Sequence, residues 1–247
     1  MAPRLRPLAL YPRIAWTYVR WARVLLPLAL VVFVPLGLIH AITLAMDPAA
    51  FESGFAIAGV VAAGLVLTAT GLLGEVFYAG VVTVALTHPH DGRPPSLREI
   101  AGMLNYGSLI VIDLLYGAAV AVGLLAFVVP GIVVFVYLGL AAPVIEIERH
   151  GVRAAISRSF QLVRGRFWSV LAILLPLELL GDGLTDLATA LAHGLLGKSL
   201  LTDWLVDTLL NVLVTPFYAV AAALLAVELI AEKDGRRPGL HSASAPP

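Results

Sequence analysis

The sequence predicts an all-α integral membrane protein with six transmembrane helices arranged as three hairpins, and two observations carry this prediction. Apolar residues make up 60% of the 247-residue chain and charged residues 13%, whereas soluble domains contain about 25% charged residues. A soluble fold of this size could not hide so much hydrocarbon from water. In addition, 15 of the 16 Lys and Arg residues fall in alternate connecting segments. These features exclude a cytosolic globular enzyme, a nucleic-acid-binding protein and a disordered linker.

The six spans are apolar runs that are long enough to cross a bilayer. A helix needs about 20 apolar residues to cross a hydrocarbon core of about 30 Å. The second run would be about 50 Å long as a helix, so it must tilt, bend or protrude. A tight turn is predicted at Pro130-Gly131, between the third and fourth runs. The spans are predicted at residues 24–46, 55–87, 107–129, 132–147, 167–192 and 204–230 of a single membrane domain, residues 1–237.

The distribution of Lys and Arg predicts that both termini lie in the cytoplasm, in a multi-pass protein of the plasma membrane. Inner segments carry an excess of these residues, and with the N-terminus inside, Lys198 alone falls outside. The first apolar run has 23 residues, longer than the roughly 7–15 residues of a signal-peptide core, so we expect a retained span. Residues 238–247 are rich in Pro, Ser and Ala, which predicts a disordered tail.

Each odd-numbered span is preceded by a stretch that can form an amphipathic helix at the inner membrane surface. Residues 11–21 precede span one, residues 96–105 precede span three with a Ser96 cap, and residues 152–167 precede span five. The last stretch has an apolar stripe at helical spacing, made of Val152, Ile156, Phe160, Val163 and Phe167. Four arginines flank or oppose this stripe and are predicted to contact anionic lipid headgroups: Arg153, Arg158, Arg164 and Arg166.

Residues 130–168 carry a resemblance to one bacterial family. Pro130-Gly131, the run from Ala142 to Glu146 and the run from Gly151 to Trp168 resemble the six-span membrane domain named after glycerophosphoryl diester phosphodiesterases. In fused members of that family the hydrolase is a separate soluble barrel, which nothing in this sequence could encode. The resemblance therefore implies a helical membrane domain and no catalytic activity.

Glu75, Asp113 and Glu178 lie well inside predicted spans, where ionisable residues are costly and often functional. Glu75 and Glu178 lie near mid-bilayer, and Asp113 lies about six residues into span three. These acids could handle protons or cations in a shared cavity. Alternatively, each could join helices through hydrogen bonds to hydroxyl groups or freed carbonyls.

A second acidic group is predicted at the outer end of the third hairpin, where pairs of Asp share helix faces. Oxygen ligands from two antiparallel helices would suit Ca²⁺ or Mg²⁺, although ordinary outer-side acidity explains them as well, and we expect no metal or cofactor. Zinc-protease, nucleophile-elbow and Walker motifs are absent, and we expect no enzymatic activity. The weak metal candidates are Asp182, Asp186, Asp203 and Asp207.

The sequence favours a non-enzymatic membrane protein that acts as a lipid-contacting or partner-binding scaffold. Its expected partners are membrane lipids with anionic headgroups at the inner leaflet, with a membrane protein as a further candidate and no nucleic acid. The alternative is a small transporter or channel that uses the mid-membrane carboxylates, and an intramembrane enzyme ranks third. A polar cavity that joins these acids would favour transport, and a filled core would favour the scaffold.

Overall fold

The computed structural model describes residues 7–45, 72, 74–89 and 95–235, and every regular element in these ranges is a helix. The predicted tail at 238–247 and residues 55–71 of the predicted span two lie outside the described residues. The helices are α1 (Pro7–Ala45), α2 (Glu75–Thr87), α3 (Leu97–Met103), α4 (Tyr106–Ala126), α5 (Val128–Leu138), α6 (Ala141–Glu148), α7 (Val152–Val163), α8 (Phe167–Leu196) and α9 (Leu200–Lys233).

Five helical segments among the described residues are long and apolar enough to cross a membrane, which confirms the prediction of a multi-pass helical protein. They are Ala9–Ile42, Tyr106–Ala126, Val128–Glu148, Phe167–Leu196 and Leu200–Lys233. The third of these comprises α5 and α6. The described part of predicted span two is the short apolar helix α2. The count of six spans, the hairpins and the orientation stay predictions.

The expected separate interfacial helix before span one is wrong. Residues 11–21 belong to α1, a continuous helix of 39 residues and therefore about 58 Å in length. Residues 13–26 contain neither Gly nor Pro, so no helix-breaking residue separates the amphipathic stretch from the span. Pro27 and Pro35 lie farther along α1 and do not end it. By contrast, α3 and α7 are separate helices, as predicted. Asn105 caps α4 after a break, and Gly165 adopts a φ of 85° between α7 and α8.

The turn between the third and fourth spans is also misplaced in the sequence-based prediction. The chain reverses at Phe127, which has extended backbone angles, and Pro130 and Gly131 lie inside α5. Pro is tolerated in the first turn of a helix because its missing N–H would have no partner there. Gly131 serves close packing instead: a Cβ on Gly123 would lie 2.8 Å from the Gly131 Cα atom, so the two backbones touch.

The core of the bundle lies around α2, α6 and the second half of α9. Most side chains of α2 are buried, and so is nearly every residue from Thr215 to Ala226 in α9. Among the described residues, the most extensive helix–helix contact is between α1 and α9. Helix α9 also packs against α2 and α8. The first half of α9 and most of α8 are far more exposed. The bundle is therefore densely packed at one end and looser at the other.

Candidate acidic cavity

A cavity of about 530 Å³ lies at the looser end of the bundle, between α1, α4, α5, α8, α9 and the start of α2. Its lining is partly apolar, with Leu124 and Phe135 among the wall residues. Of the described lining residues, His40 is the one that can carry a positive charge. Five carboxyl groups line the same space, which we call the acidic cavity: Glu75, Glu178, Asp182, Asp186 and Asp207.

Helix α8 supplies three of these acids from one face. Glu178, Asp182 and Asp186 are spaced four residues apart, so they follow one another along the side of α8 that lines the cavity. The opposite side presents large exposed leucines, including Leu184 and Leu187. This division suits a helix with lipid on one side and a polar cavity on the other.

Pro176 lies inside α8, two residues before Glu178. A Pro inside a helix removes the hydrogen bond to the carbonyl four residues earlier, which is that of Ala172. The Tyr11 hydroxyl from α1 donates to this carbonyl over 2.8 Å. The freed acceptor thus joins α1 to α8 and leaves the Glu178 carboxyl available to the cavity.

The deep end of the acidic cavity contains buried polar atoms that lack hydrogen bonds. Glu75 is 9% exposed and Tyr218 is 3% exposed. Glu75 Oε2 and the Tyr218 hydroxyl make no hydrogen bond of acceptable geometry within the described part of the chain. The Glu178 carboxyl is a neighbour of the Glu75 carboxyl. A buried polar atom without a partner costs about 1–3 kcal/mol, so this end of the cavity is suited to a polar guest.

On the α9 side, Asp207 is held by a short hydrogen-bonded ladder. Asn211 Nδ2 donates to the backbone oxygen of Asp207 at 3.0 Å and to its Oδ1 at 3.2 Å. The Thr215 hydroxyl donates to Asn211 Oδ1 at 3.1 Å. A Cβ on Gly37 of α1 would lie 3.1 Å from Asp207 Oδ2, so close backbone packing also limits movement of this carboxylate.

Asp113 lies outside the acidic cavity, unlike Glu75 and Glu178. Its carboxylate accepts hydrogen bonds from the backbone N–H of Gly74 at 2.7 Å and of Phe77 at 3.0 Å. These groups belong to the N-terminal turn of α2, whose own preceding residue, Gly74, offers no side chain to cap it. Asp113 therefore caps α2 from the neighbouring helix α4, and it does not line the acidic cavity.

The four aspartates that the sequence predicts at the outer end of the third hairpin are also divided. Asp182, Asp186 and Asp207 line the acidic cavity, whereas Asp203 accepts a hydrogen bond from His193 Nε2 near the α8–α9 turn. Within residues 7–45, 74–89 and 95–235, no group of three or more His, Asp or Glu side chains is placed to hold a metal ion.

The four arginines predicted to contact lipid separate into two pairs. Arg158 donates to Glu148 over 2.9 Å and to Asp234 over 2.8 Å, and Arg166 forms an ion pair with Glu232. The hydrogen bonds to Asp234 and then to Glu148 raise the pKa of the Arg158 guanidinium above its usual value. The other two, Arg153 and Arg164, have exposed side chains.

The apolar stripe of α7 mainly contacts protein. Val163 is fully buried, and Val152, Ile156 and Phe167 pack partly against the core. Phe160 stacks on Tyr137 with ring centroids 4.6 Å apart. The helix is therefore docked on the bundle, while Phe160 stays 43% exposed.

No family model, curated protein or solved structure matches this chain. The resemblance of residues 130–168 to a six-span membrane domain therefore stays a prediction. What the acidic cavity can do follows from its own geometry, which offers carboxylates and two hydrogen-bonding atoms without partners to a guest of positive charge.

Proposed function

We propose that this multi-pass membrane protein is a small transporter or channel that binds a cation in the acidic cavity. The observation that carries the proposal is that Glu75 and Glu178, both inside predicted spans, line one cavity together with three aspartates. Carboxylates at membrane depth are costly unless a proton or cation compensates their charge. Such residues commonly mark the path of an ion or a charged substrate.

We further propose six spans with both termini in the cytoplasm of a plasma-membrane protein, which would open the acidic cavity toward the outside. The ion pairs Arg13–Glu228 and Arg166–Glu232 support a common side for both termini, since they gather the starts of α1 and α8 with the end of α9 at one end of the bundle. The excess of Lys and Arg at that end assigns it to the cytoplasm in this proposal. Glu178 lies 11 residues into α8, about 17 Å from its start. Asp182 and Asp186 would then lead from the bilayer centre to the outer surface.

The packed end of the bundle would close this path on the cytoplasmic side. Side chains of α2, α6 and the second half of α9 are buried there. A transporter that takes up its cation from outside needs such a barrier, which it opens in a second conformation. A channel would instead need a polar path through this region.

The scaffold remains the second candidate, and the filled inner half of the bundle favours it. In that function α7 would present the exposed Arg153 and Arg164 to anionic lipid or to a membrane-protein partner. Cation binding is not required for a scaffold, so the two candidates differ in a measurable property.

The test is ligand-dependent thermal stability of the purified full chain in nanodiscs of neutral lipid, with a panel of inorganic and organic cations. A cation at about 100 times its Kd stabilises the folded state by about 2.7 kcal/mol, which corresponds to roughly 5–10 °C in Tm for a chain of this size. Glu75→Gln and Glu178→Gln should abolish the shift. Asp203→Asn is the matched control, since it removes a carboxylate outside the cavity. If no cation shifts the Tm of the unmodified protein, the scaffold is the better proposal.

A further inference from the structure

We infer that the guest of the acidic cavity is a linear organic polyammonium ion, because successive carboxylates follow one face of α8 and lead to unpartnered acceptor atoms at the buried end. This inference rests on the proposed cation-binding function and narrows it to a ligand class. Four features of the cavity support it. The acids are spread out and do not converge on one point, and those of α8 are regularly spaced. Part of the lining is apolar, and hydrogen-bond acceptors lie at the deep end.

The dispersal of the acids disfavours a metal ion. Calcium takes six to eight oxygen ligands at about 2.3–2.6 Å, and magnesium takes six at about 2.0–2.1 Å. In the part of the chain that the structure describes, no three acidic or His side chains converge in this way. The carboxylates are instead spread along a cavity of about 530 Å³. That volume falls in the range of roughly 300–1,000 Å³ that is typical of sites for small organic molecules.

The spacing of the acids matches a chain of ammonium groups. Glu178, Asp182 and Asp186 each lie four residues apart, which is about 6 Å along the helix axis. Two ammonium groups joined by an extended four-carbon chain are also about 6 Å apart, given single bonds of about 1.5 Å. A polyammonium chain that lies along α8 therefore brings one positive charge to each successive carboxylate.

The apolar part of the cavity lining suits the hydrocarbon segments of such a chain. It is formed by apolar side chains of α4 and α5, which include Val120, Leu124, Ile132 and Phe135. Methylene groups that contact this wall bury apolar surface away from water, which favours binding. The ammonium groups meanwhile face the carboxylates of α8. Metal ions and small inorganic cations carry no hydrocarbon that contact with an apolar wall could remove from water.

The deep end offers acceptors that fit a terminal ammonium group. An –NH₃⁺ group has three donor hydrogens and no acceptor. Glu75 Oε2 and the Tyr218 hydroxyl oxygen are buried and without a hydrogen bond among the described residues, and Glu178 lies beside Glu75. A terminal ammonium group at this end would supply the donors that these acceptors lack and would compensate the charge of the neighbouring carboxyl groups.

The experiment measures binding of defined amines to the full chain in neutral nanodiscs by isothermal titration calorimetry. The probes are 1-aminobutane, 1,4-diaminobutane and a linear triamine with three- and four-carbon segments, with 1,4-butanediol, MgCl₂ and CaCl₂ for comparison. We expect affinity to rise at least tenfold with each added ammonium group and the diol not to bind. Asp182→Asn should reduce triamine affinity at least tenfold, and Asp203→Asn should leave it unchanged.

Glu178→Gln provides a second variant at the buried end, and it should weaken all amines, including the monoamine. An unchanged Tm of each variant without ligand confirms that it is folded. If Mg²⁺ or Ca²⁺ binds in a Glu178-dependent manner and the amines do not, the polyammonium inference is overturned while the cation-binding function stands. If the amines bind equally well regardless of length, or Asp203→Asn weakens them as much as Asp182→Asn, the inference is also overturned. If no cation of either class binds, the proposed function fails as well.

Discussion

The most direct test of the separate roles of the mid-membrane acids is the substitution Asp113→Ala. In the structure, the Asp113 carboxylate is buried and accepts two hydrogen bonds from the N-terminal turn of α2, at 2.7 and 3.0 Å. Removal of a cap in a helix of a soluble protein costs about 0.5–2 kcal/mol. A hydrogen bond to a charged group contributes about 1.5–3 kcal/mol. Because both N–H groups would lose this acceptor, we expect a loss of about 3 kcal/mol in the free energy of unfolding.

Asp113→Asn is the matched variant because its amide keeps one acceptor oxygen. It should retain the bond to one of the two N–H groups and lose about half as much stability. The free energies of unfolding can be compared by denaturant titration of the purified proteins in one detergent, with cation binding measured on the folded fraction. Because the capped turn also positions Glu75, cation binding should weaken only together with stability, and less in Asp113→Asn than in Asp113→Ala. A loss of binding at unaltered stability would show that Asp113 acts in the cavity and would refute its assignment as a cap.

Three further predictions concern packing, the inner ion pairs and topology. Gly123→Ala should destabilise the protein by about 1–3 kcal/mol, because a Cβ would overlap the backbone of α5, whereas Gly102→Ala, with nothing within 4 Å, should be tolerated. Arg158→Gln should lower the free energy of unfolding by about 1 kcal/mol. The pKa of Arg158 is raised in the folded state, so its contribution to stability should persist across neutral pH and be lost only as the pH rises through the folded-state pKa. Reporter fusions after Glu148 should be cytoplasmic and those near Lys198 external; the reverse pattern would contradict the proposed orientation.

Much of the fold could be predicted from the sequence because the length and apolarity of a span are local properties. The helices Tyr106–Ala126 and Phe167–Leu196 agree with predicted spans to within a few residues. The prediction of a turn at Pro130-Gly131 was wrong because each of these residues is compatible with two kinds of local structure. Pro fits a turn or the first turn of a helix, and Gly fits a turn or a close helix contact. The distinction depends on how α4 meets α5, which the local sequence does not contain.

The roles of the acids depended on contacts between distant segments. Glu75, Asp113 and Glu178 look alike in sequence, since each is an acid flanked on both sides by apolar residues. Asp113 became a cap because the start of α2, about 40 residues earlier in the chain, lies opposite it. Glu75 and Glu178 meet because α2 and α8 both reach the cavity, and they are about 100 residues apart. Spacing identified the face that Asp182 and Asp186 share, but the identity of the facing helices came from the structure.

The four arginines of residues 152–167 also differ in partners that the local sequence does not show, and this difference gives the last prediction. Arg158 and Arg166 are held by carboxylates, whereas Arg153 and Arg164 are exposed and form no ion pair within the described residues. A basic residue near an anionic leaflet contributes about 1 kcal/mol, so the exposed pair should contribute about 2 kcal/mol before screening by salt.

The perturbation is the double substitution Arg153→Gln and Arg164→Gln, compared with Arg158→Gln and Arg166→Gln in the same chain. Stability is measured in nanodiscs of neutral lipid and of lipid that contains phosphatidylglycerol, at low and high salt. The unmodified protein and the Arg158→Gln/Arg166→Gln variant should be more stable in anionic than in neutral discs, whereas the Arg153→Gln/Arg164→Gln variant should not. High salt should remove the difference between the two lipids. The second variant should instead be less stable in both lipids, because its loss is of contacts within the protein. Equal lipid dependence in the two double variants would mean that the exposed arginines face a partner or solvent rather than anionic headgroups.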